Sequence, residues 1–287
     1  MSITVNPVSS ALGAESIGAR LAQPVAEADF DALHQALLDH LMVVVRDQFL
    51  APEDQVALCA RFGELESHDN AQYLKEGHPE ILVLSNKRVN GKLIGVPDAG
   101  DAWHSDLSFK PETAMYTNLQ SVELPGQGGD TEFSNLYAAY DALPEATRHR
   151  IANLRGIHSI SKLRNSRVVI SDKREDAKEF YARQDAEFPP SPHPLVRTHP
   201  ETGRKLLYLS PRFTIGIEGI DDAEGQALLD ELIAHQLRPE FRYRHRWQPG
   251  DLVMWDNRAV NHQACGGHDD NDIRLMHRIT VLGDAPY

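Results

Sequence analysis

The chain has 287 residues, 41% hydrophobic and 25% charged, which is enough to bury a sizeable core without disulfides or a structural zinc. Its net charge of −13, from 42 acids against 29 Lys and Arg, comes with no strongly basic stripe, which argues against nucleic acid or an anionic membrane as a partner. Cys59 and Cys265 are far apart, which excludes a Cys-based zinc cluster and fits a reducing compartment. Met1 to Ser16 lacks the basic start and apolar core of a signal peptide, and the longest apolar run, Leu41 to Val45, is far too short to span a bilayer. The expectation is a soluble cytoplasmic protein.

Taken in order, Ile3 to Val8 and Gly13 to Ile17 read as short strands. Asp29 to Leu41 carries Phe30, Leu33, Leu37, Leu38 and Leu41 at helical spacing. Leu41 to Arg46 reads as a buried strand, Pro52 to Phe62 as a helix with proline in its first turn, and Ile81 to Leu84 as a strand. Ser85 to Ala102 is expected to be a long polar connection. Ala114 to Val122 then forms a strand, Pro125 to Asp130 a turn, and Leu136–Leu143 and Pro144–Leu154 two helices. Ser161 to Pro194, charged and then proline-rich, is expected to be a long loop of functional character. Strands at Leu195–Thr198 and Lys205–Ser210, a helix over Asp222–Leu237, and strands near Glu240–Trp247, Asp251–Trp255 and Ile273–Leu282 complete the chain. There is no internal repeat and no evident linker. Many strands with a few peripheral helices predict one mainly β domain, a sandwich or jelly roll.

Trp103-His104-Ser105-Asp106 is the stretch with chemical content. In an extended segment His104 and Asp106 project from one face, and an imidazole with a carboxylate is two-thirds of the facial triad that holds non-haem Fe(II). Alone the pair is weak, since a structural histidine reads equally well, and the chain holds a second such pair at His268-Asp269-Asp270. That copy lies in a run of glycines and acids expected to be a solvated loop. His262, after the strand Leu252-Val253-Met254-Trp255 and the turn Asp256-Asn257-Arg258, is the candidate third ligand, though from position alone it could equally cap that turn.

Arg274 and Arg278 lie four apart on a strand-like segment and so share a face, their Cα atoms roughly 13 Å apart. If that face is interior, each guanidinium needs an anion; if it is a surface, both pair with the chain's many acids. Gly128-Gly129-Asp130-Thr131 is a tight turn ending in a hydroxyl that could join an arginine on one carboxylate.

Trp103-His-Ser-Asp106, Leu124-Pro-Gly-Gln-Gly-Gly-Asp-Thr131, Ala138-Ala-Tyr-Asp-Ala-Leu143, Trp247-Gln-Pro-Gly-Asp251, Trp255-Asp-Asn-Arg258, His262 and Arg274-Leu-Met-His-Arg278 with Leu282-Gly-Asp284 recur in this order. Together they resemble the Fe(II)/2-oxoglutarate-dependent dioxygenases of the taurine dioxygenase and 2,4-D dioxygenase (TauD/TfdA) family, over nearly the whole chain. The resemblance implies a double-stranded β-helix jelly-roll core in a single dioxygenase domain over residues 1–287, with active-site loops near 66–102 and 158–192. It implies that His104, Asp106 and His262 hold Fe(II), that Thr131 and Arg274 bind the distal carboxylate of 2-oxoglutarate, and that Arg278 meets the acidic group of the prime substrate. His68 matches a histidine that contacts the sulfonate in taurine-type members.

The implied reaction consumes 2-oxoglutarate and O2, hydroxylates a small organic anion (a sulfonate, sulfate ester or aryloxyalkanoate, with fragmentation of some products), and releases succinate and CO2. A homodimer or tetramer is also implied. Ser67 to Tyr73, Val96 to Ala102 and Ser159-Ile160-Ser161-Lys162 depart from the taurine pattern, which leaves the iron site intact and puts taurine itself in question. The same site hydroxylating an amino acid or other carboxylate metabolite is the alternative within the class. A non-catalytic jelly-roll binder of metal or anions is the alternative outside it. A zinc hydrolase is disfavoured, because no His-Glu-x-x-His motif and no evident general base are present.

Overall fold

The computed structural model describes residues 3–22, 24–67, 71–97, 99–161, 177–269 and 271–287. The N-terminal part holds strands β1 (Thr4–Pro7) and β2 (Ala14–Ile17), helix α1 (Glu27–His40), strand β3 (Met42–Val45) and helix α2 (Pro52–Ala60). Strands β4 (Leu74–Lys75) and β5 (His78–Ser85) precede a hairpin of β6 (Arg88–Val89) and β7 (Lys92–Leu93), and β8 (Ala114–Glu123) follows. Next come β9 (Thr131–Asn135), α3 (Leu136–Asp141), α4 (Glu145–Ile151) and β10 (Arg155–His158). Helix α5 (Ala177–Glu187) leads to β11 (Ser191–Pro194), β12 (Val196–Thr198), β13 (Lys205–Leu207), β14 (Thr214–Ile217) and helix α6 (Asp222–Gln236). The chain closes with β15 (Arg242–His245), β16 (Leu252–Asp256), β17 (Val260–Ala264) and β18 (Leu275–Leu282).

The principal sheet runs β1-β2-β3-β16-β8-β18-β5-β4 and is antiparallel except where β2 meets β3. A second sheet, β15-β9-β17, packs against it to make the jelly-roll core. The all-apolar run Met42-Val43-Val44-Val45 follows from burial on both faces. Val43 and Val45 pack with Leu33 and Leu37 of α1 and Leu58 of α2, whereas Met42 and Val44 pack with Phe133 and Trp255 between the two sheets. Strand β18 alternates in the same way. Ile279 and Val281 face the helices, and Met276 faces the inter-sheet space. The even-numbered Arg274 and Arg278 share that inner side and line one cavity with the facing sheet. The interior alternative for the two arginines is the one realised.

Three expectations need correction. The connection from Ser85 to Ala102 is not unstructured throughout: Asn90 (φ 51°) and Gly91 (φ 79°) form a two-residue left-handed turn between β6 and β7, the Asn-Gly hairpin chemistry that a purely polar reading overlooks. The stretch from Ser161 to Pro194 contains α5 and β11, the latter paired with β10 although two of its four residues are prolines. At an edge a strand tolerates proline, because only one side of it must donate. The strand over Lys205–Ser210 ends at Leu207.

Leu33 is fully buried in the layer between α1 and the principal sheet. Leu33→Ala is expected to lower the unfolding free energy by about 3 kcal/mol, while exposed Asp31→Ala on the same helix changes it by less than about 0.5 kcal/mol. Denaturant titration of both variants checks this.

Candidate metal centre and anion pocket

His104 and His262 sit directly opposite each other as a hydrogen-bonded antiparallel pair: His104 N donates to His262 O at 2.9 Å and His262 N to His104 O at 2.8 Å. This bridge holds the two imidazoles with ring centroids 4.2 Å apart. Asp106, two residues on, brings its carboxylate to the same point, with Oδ1 3.5 Å from His104 Nε2 and Oδ2 3.9 Å from His262 Nε2. One ligand atom from each residue lies within 4.8 Å of the others, and all three side chains are buried. Immediately after Asp106 the buried Leu107 adopts φ 56°. A left-handed leucine costs free energy, and the turn it makes sets the direction of the carboxylate.

The donor chemistry fits a divalent metal. His104 Nδ1 lies 2.8 Å from the Ala102 carbonyl, which can only accept, so Nδ1 donates and Nε2 is the ring nitrogen turned toward Asp106. Burial holds His262 well below the ordinary imidazole range, so it is neutral. Burial pushes the Asp106 carboxyl up, but opposing interactions led by the Arg278 guanidinium hold the group well below its usual value. A carboxylate and two imidazoles on one face are a facial set with open positions, as non-haem Fe(II) requires.

A second layer orients that carboxylate. The Trp255 indole N–H and the Asp106 backbone N–H both donate to Asn257 Oδ1, at 3.1 and 3.2 Å. That leaves the Asn257 amide nitrogen to donate to Thr117 Oγ1 (2.8 Å), and Thr117 in turn to donate to Asp106 Oδ2 (2.7 Å). Because an indole can only donate, every bond in the chain has one polarity. Asn257 lies within a recognised motif, yet nothing in the sequence tied it to Asp106. Thr117 carried no signal at all.

Beside the triad is a cavity lined by His104, His262, Thr131, Arg274 and Arg278 with Leu84, Leu119 and Trp255 as apolar walls. Arg274 is half-buried, donates from Nε to Gly129 O at 3.2 Å, and is pulled down to about 10 by desolvation. A Cβ on Gly129 (φ 75°) would come within 3.2 Å of the Arg274 side chain, and one on Gly128 (φ 78°) within 2.5 Å of the Gly267 backbone, so the paired glycines are what let the turn approach. Among the described residues no carboxylate pairs with Arg274. Arg278 differs, since it reaches Asp106 Oδ1 at 3.4 Å and Glu66 Oε2 at 3.9 Å.

Glu66, buried and also 3.4 Å from Lys110, is a charged neighbour of the site that sequence reading did not single out. Nor did it single out Phe213, edge-on to His104 at 6.2 Å. His68 lies outside the described residues. Of the second pair, Asp270 lies outside the described residues; its neighbour Asp269 accepts from both nitrogens of Asn271 at 2.8 Å and closes a loop turn. Thr117→Val, which keeps the volume and removes the donor, is expected to weaken Fe(II) binding by about ten- to a hundred-fold; anaerobic metal titration with circular dichroism as a folding control checks it.

Comparison with known proteins agrees with this geometry. Residues 4–280 match the model of the family described as taurine catabolism dioxygenase TauD, TfdA family. The chain is 36% identical to the alpha-ketoglutarate-dependent 2,4-dichlorophenoxyacetate dioxygenase of Cupriavidus pinatubonensis, covering 99% of each. It is 33% identical to pentalenolactone F synthase of Streptomyces avermitilis, over 100% of this chain and 95% of that one. Among solved structures it resembles AAD-2 in complex with Mn(II) and N-oxalylglycine, with TM-score 0.82 and 31% identity over 100% of this chain and 99% of that one. No helix among the described residues is long and apolar enough to cross a membrane. A non-catalytic binder is thereby set aside: the chain belongs to the TauD/TfdA family and is a non-haem iron dioxygenase that uses Fe(II), 2-oxoglutarate and O2.

Proposed function

We propose that His104, Asp106 and His262 hold the Fe(II), that Thr131 and Arg274 take the distal carboxylate of 2-oxoglutarate, and that Arg278 receives the acidic group of the prime substrate. The substrate is a small organic anion, an aryloxyalkanoate, sulfate ester or sulfonate, which is hydroxylated as 2-oxoglutarate is converted to succinate and CO2. The observation that carries this reading is Arg274, a half-buried guanidinium without an ion-pair partner among the described residues, on the same cavity as His104 and His262. A partly desolvated cation of that kind is stabilised by an anionic ligand, and its planar fork suits a carboxylate. The relative that acts on 2,4-dichlorophenoxyacetate supports a carboxylate-bearing substrate on the second arginine.

Bound Fe(II) supplies the activation of O2 that couples decarboxylation of the oxo acid to hydroxylation of a C–H bond. The chain supplies position. Arg274 and Thr131 anchor one end of the oxo acid so that its other end is directed toward the triad. Arg278, within 3.4 Å of Asp106, draws the second anion to the metal's edge. Leu84, Leu119 and Trp255 exclude water from the reacting atoms. A carboxylate at position 106 favours hydroxylation, because a halogenase of this type needs a small non-ligand residue there. Where the hydroxylated carbon carries an aryloxy or sulfate oxygen, the product breaks to a carbonyl compound and the released alcohol or sulfate. The same reading takes residues 1–287 as one domain of a cytoplasmic dimer or tetramer, with segments 66–102 and 158–192 shaping the substrate side and His68 contributing there.

Anaerobic addition of 2-oxoglutarate to the Fe(II) protein is expected to give the weak visible band of the chelate, which an accepted anion from a panel of aryloxyalkanoates, sulfate esters and sulfonates then shifts. No band in iron-loaded protein would overturn the reading. Arg274→Ala is expected to raise the 2-oxoglutarate requirement on the order of a hundred-fold, while Arg278→Ala changes it by less than about five-fold and weakens the prime substrate instead. Steady-state kinetics with each substrate varied in turn checks this, and the reverse pattern would reassign the two anions.

A further inference from the structure

The Trp247-Gln-Pro-Gly-Asp251 segment has no part in the reading above, yet it reaches the oxo-acid end of the cavity. Strand β15 pairs with β9 so that His245 faces Thr131, and the chain then turns back. The Trp247 indole Nε1–H donates to Thr131 Oγ1 at 3.0 Å. An indole nitrogen has a hydrogen and no lone pair to offer, so Thr131 can only accept in this bond. The one hydrogen of the Thr131 hydroxyl must therefore go elsewhere, and Thr131 lines the cavity together with Arg274. No other bond of this hydroxyl is made among the described residues.

The turn that carries Trp247 is held from several sides. Asp251 Oδ2 accepts from Gln248 N at 2.8 Å, from His245 Nε2 at 3.0 Å and from Arg46 Nη1 at 2.6 Å. Gly250, at φ 79°, lies against the Phe49 ring, where a Cβ would come within 2.7 Å. The Trp247 ring meets His245 edge-on at 4.8 Å. The indole thus has little freedom to release Thr131.

We propose that Trp247 is a positioning residue for 2-oxoglutarate: its indole N–H holds the Thr131 hydroxyl as an obligate donor toward the distal carboxylate, and the Asp251-centred turn holds the indole. Trp247 does not touch the co-substrate. The proposal rests on the assignment of Thr131 and Arg274 to that carboxylate. It predicts that the effect of Trp247 is confined to oxo acids that have a distal carboxylate.

The test is calorimetric binding to the Co(II)-loaded protein, without turnover, of 2-oxoglutarate and of 2-oxobutyrate, which keeps the chelating end and lacks the distal carboxylate. Trp247→Phe keeps the ring against His245 and removes the N–H. It is expected to weaken 2-oxoglutarate about ten-fold, to leave 2-oxobutyrate and Co(II) affinity within about two-fold, and to add nothing once Thr131→Val is present. Equal weakening of both oxo acids, or full additivity with Thr131→Val, would mean a general packing role and overturn the proposal. So would unchanged 2-oxoglutarate binding. If Trp247→Phe does not fold, the benzothiophene isostere of tryptophan at position 247 preserves the shape without the donor and answers the same question. Arg274→Ala and Thr131→Val separate the two layers. If neither weakens 2-oxoglutarate, the anchor assignment itself fails; if both do and Trp247→Phe does not, only the positioning role is lost.

Discussion

The site depends on one backbone pairing, the reciprocal hydrogen bonds between His104 and His262. Two segments remote in the chain meet there, one just before β8 and one on β17. The pairing fixes the distance between the imidazoles without any side-chain interaction having to do so. Everything else in the centre is arranged around that fixed pair. Asp106 enters through the strained turn at Leu107, and its carboxylate is held by the donor chain from Trp255 through Asn257 to Thr117. A facial ligand set needs three donor atoms on one side and space on the other. The jelly roll provides this because the bridge lies at the mouth of the space between its two sheets.

Charge is distributed with similar economy. The two arginines on the inner side of β18 are chemically alike, and sequence alone assigns them by resemblance. Their environments differ. Arg278 stands among Asp106, Glu66 and, through Glu66, Lys110, so its charge is already balanced within the fold. Arg274 has a backbone carbonyl from Gly129, and the Asp130 carboxylate acts on it without forming an ion pair. A partly desolvated guanidinium without an ion-pair partner favours a bound anion, whereas a paired one exchanges partners at less cost and can discriminate among them. The proposed split, co-substrate on the first and prime substrate on the second, draws on that contrast. Donor polarity supplies the remaining order: indoles, which can only donate, stand at the head of the chains that reach Asp106 and Thr131.

Much of this was legible in the sequence because it is local or periodic. The stripe of Phe30, Leu33 and Leu37 specifies an amphipathic helix, and the unbroken Met42-Val43-Val44-Val45 run a strand buried on both faces. The even spacing of Arg274 and Arg278 places them on one side of β18, and His104 with Asp106 on one side of an extended segment. Residue identity set the donor types, and the order of motifs identified the family. Where the reading failed, the information was also local but of another kind. The Asn90-Gly91 turn was hidden in a polar stretch, and β11 was hidden by its prolines.

Tertiary structure alone decided that His104 and Asp106 meet His262, since that depends on which strand lies opposite His104. It decided that Glu66, Thr117, Asn257 and Phe213 surround the site, because each arrives from a different element and none has a spacing relation to His104, Asp106 or Arg278. It also decided that Arg278 has carboxylate partners within the fold while Arg274, likewise half-buried, has none at ion-pair distance among the described residues. Sequence determines the chemistry each side chain can offer and the face it takes along its own strand or helix. Burial, hydrogen-bond polarity and the neighbours of a charge exist only once remote strands are paired, and these are what turn two histidines, an aspartate and two arginines into a site.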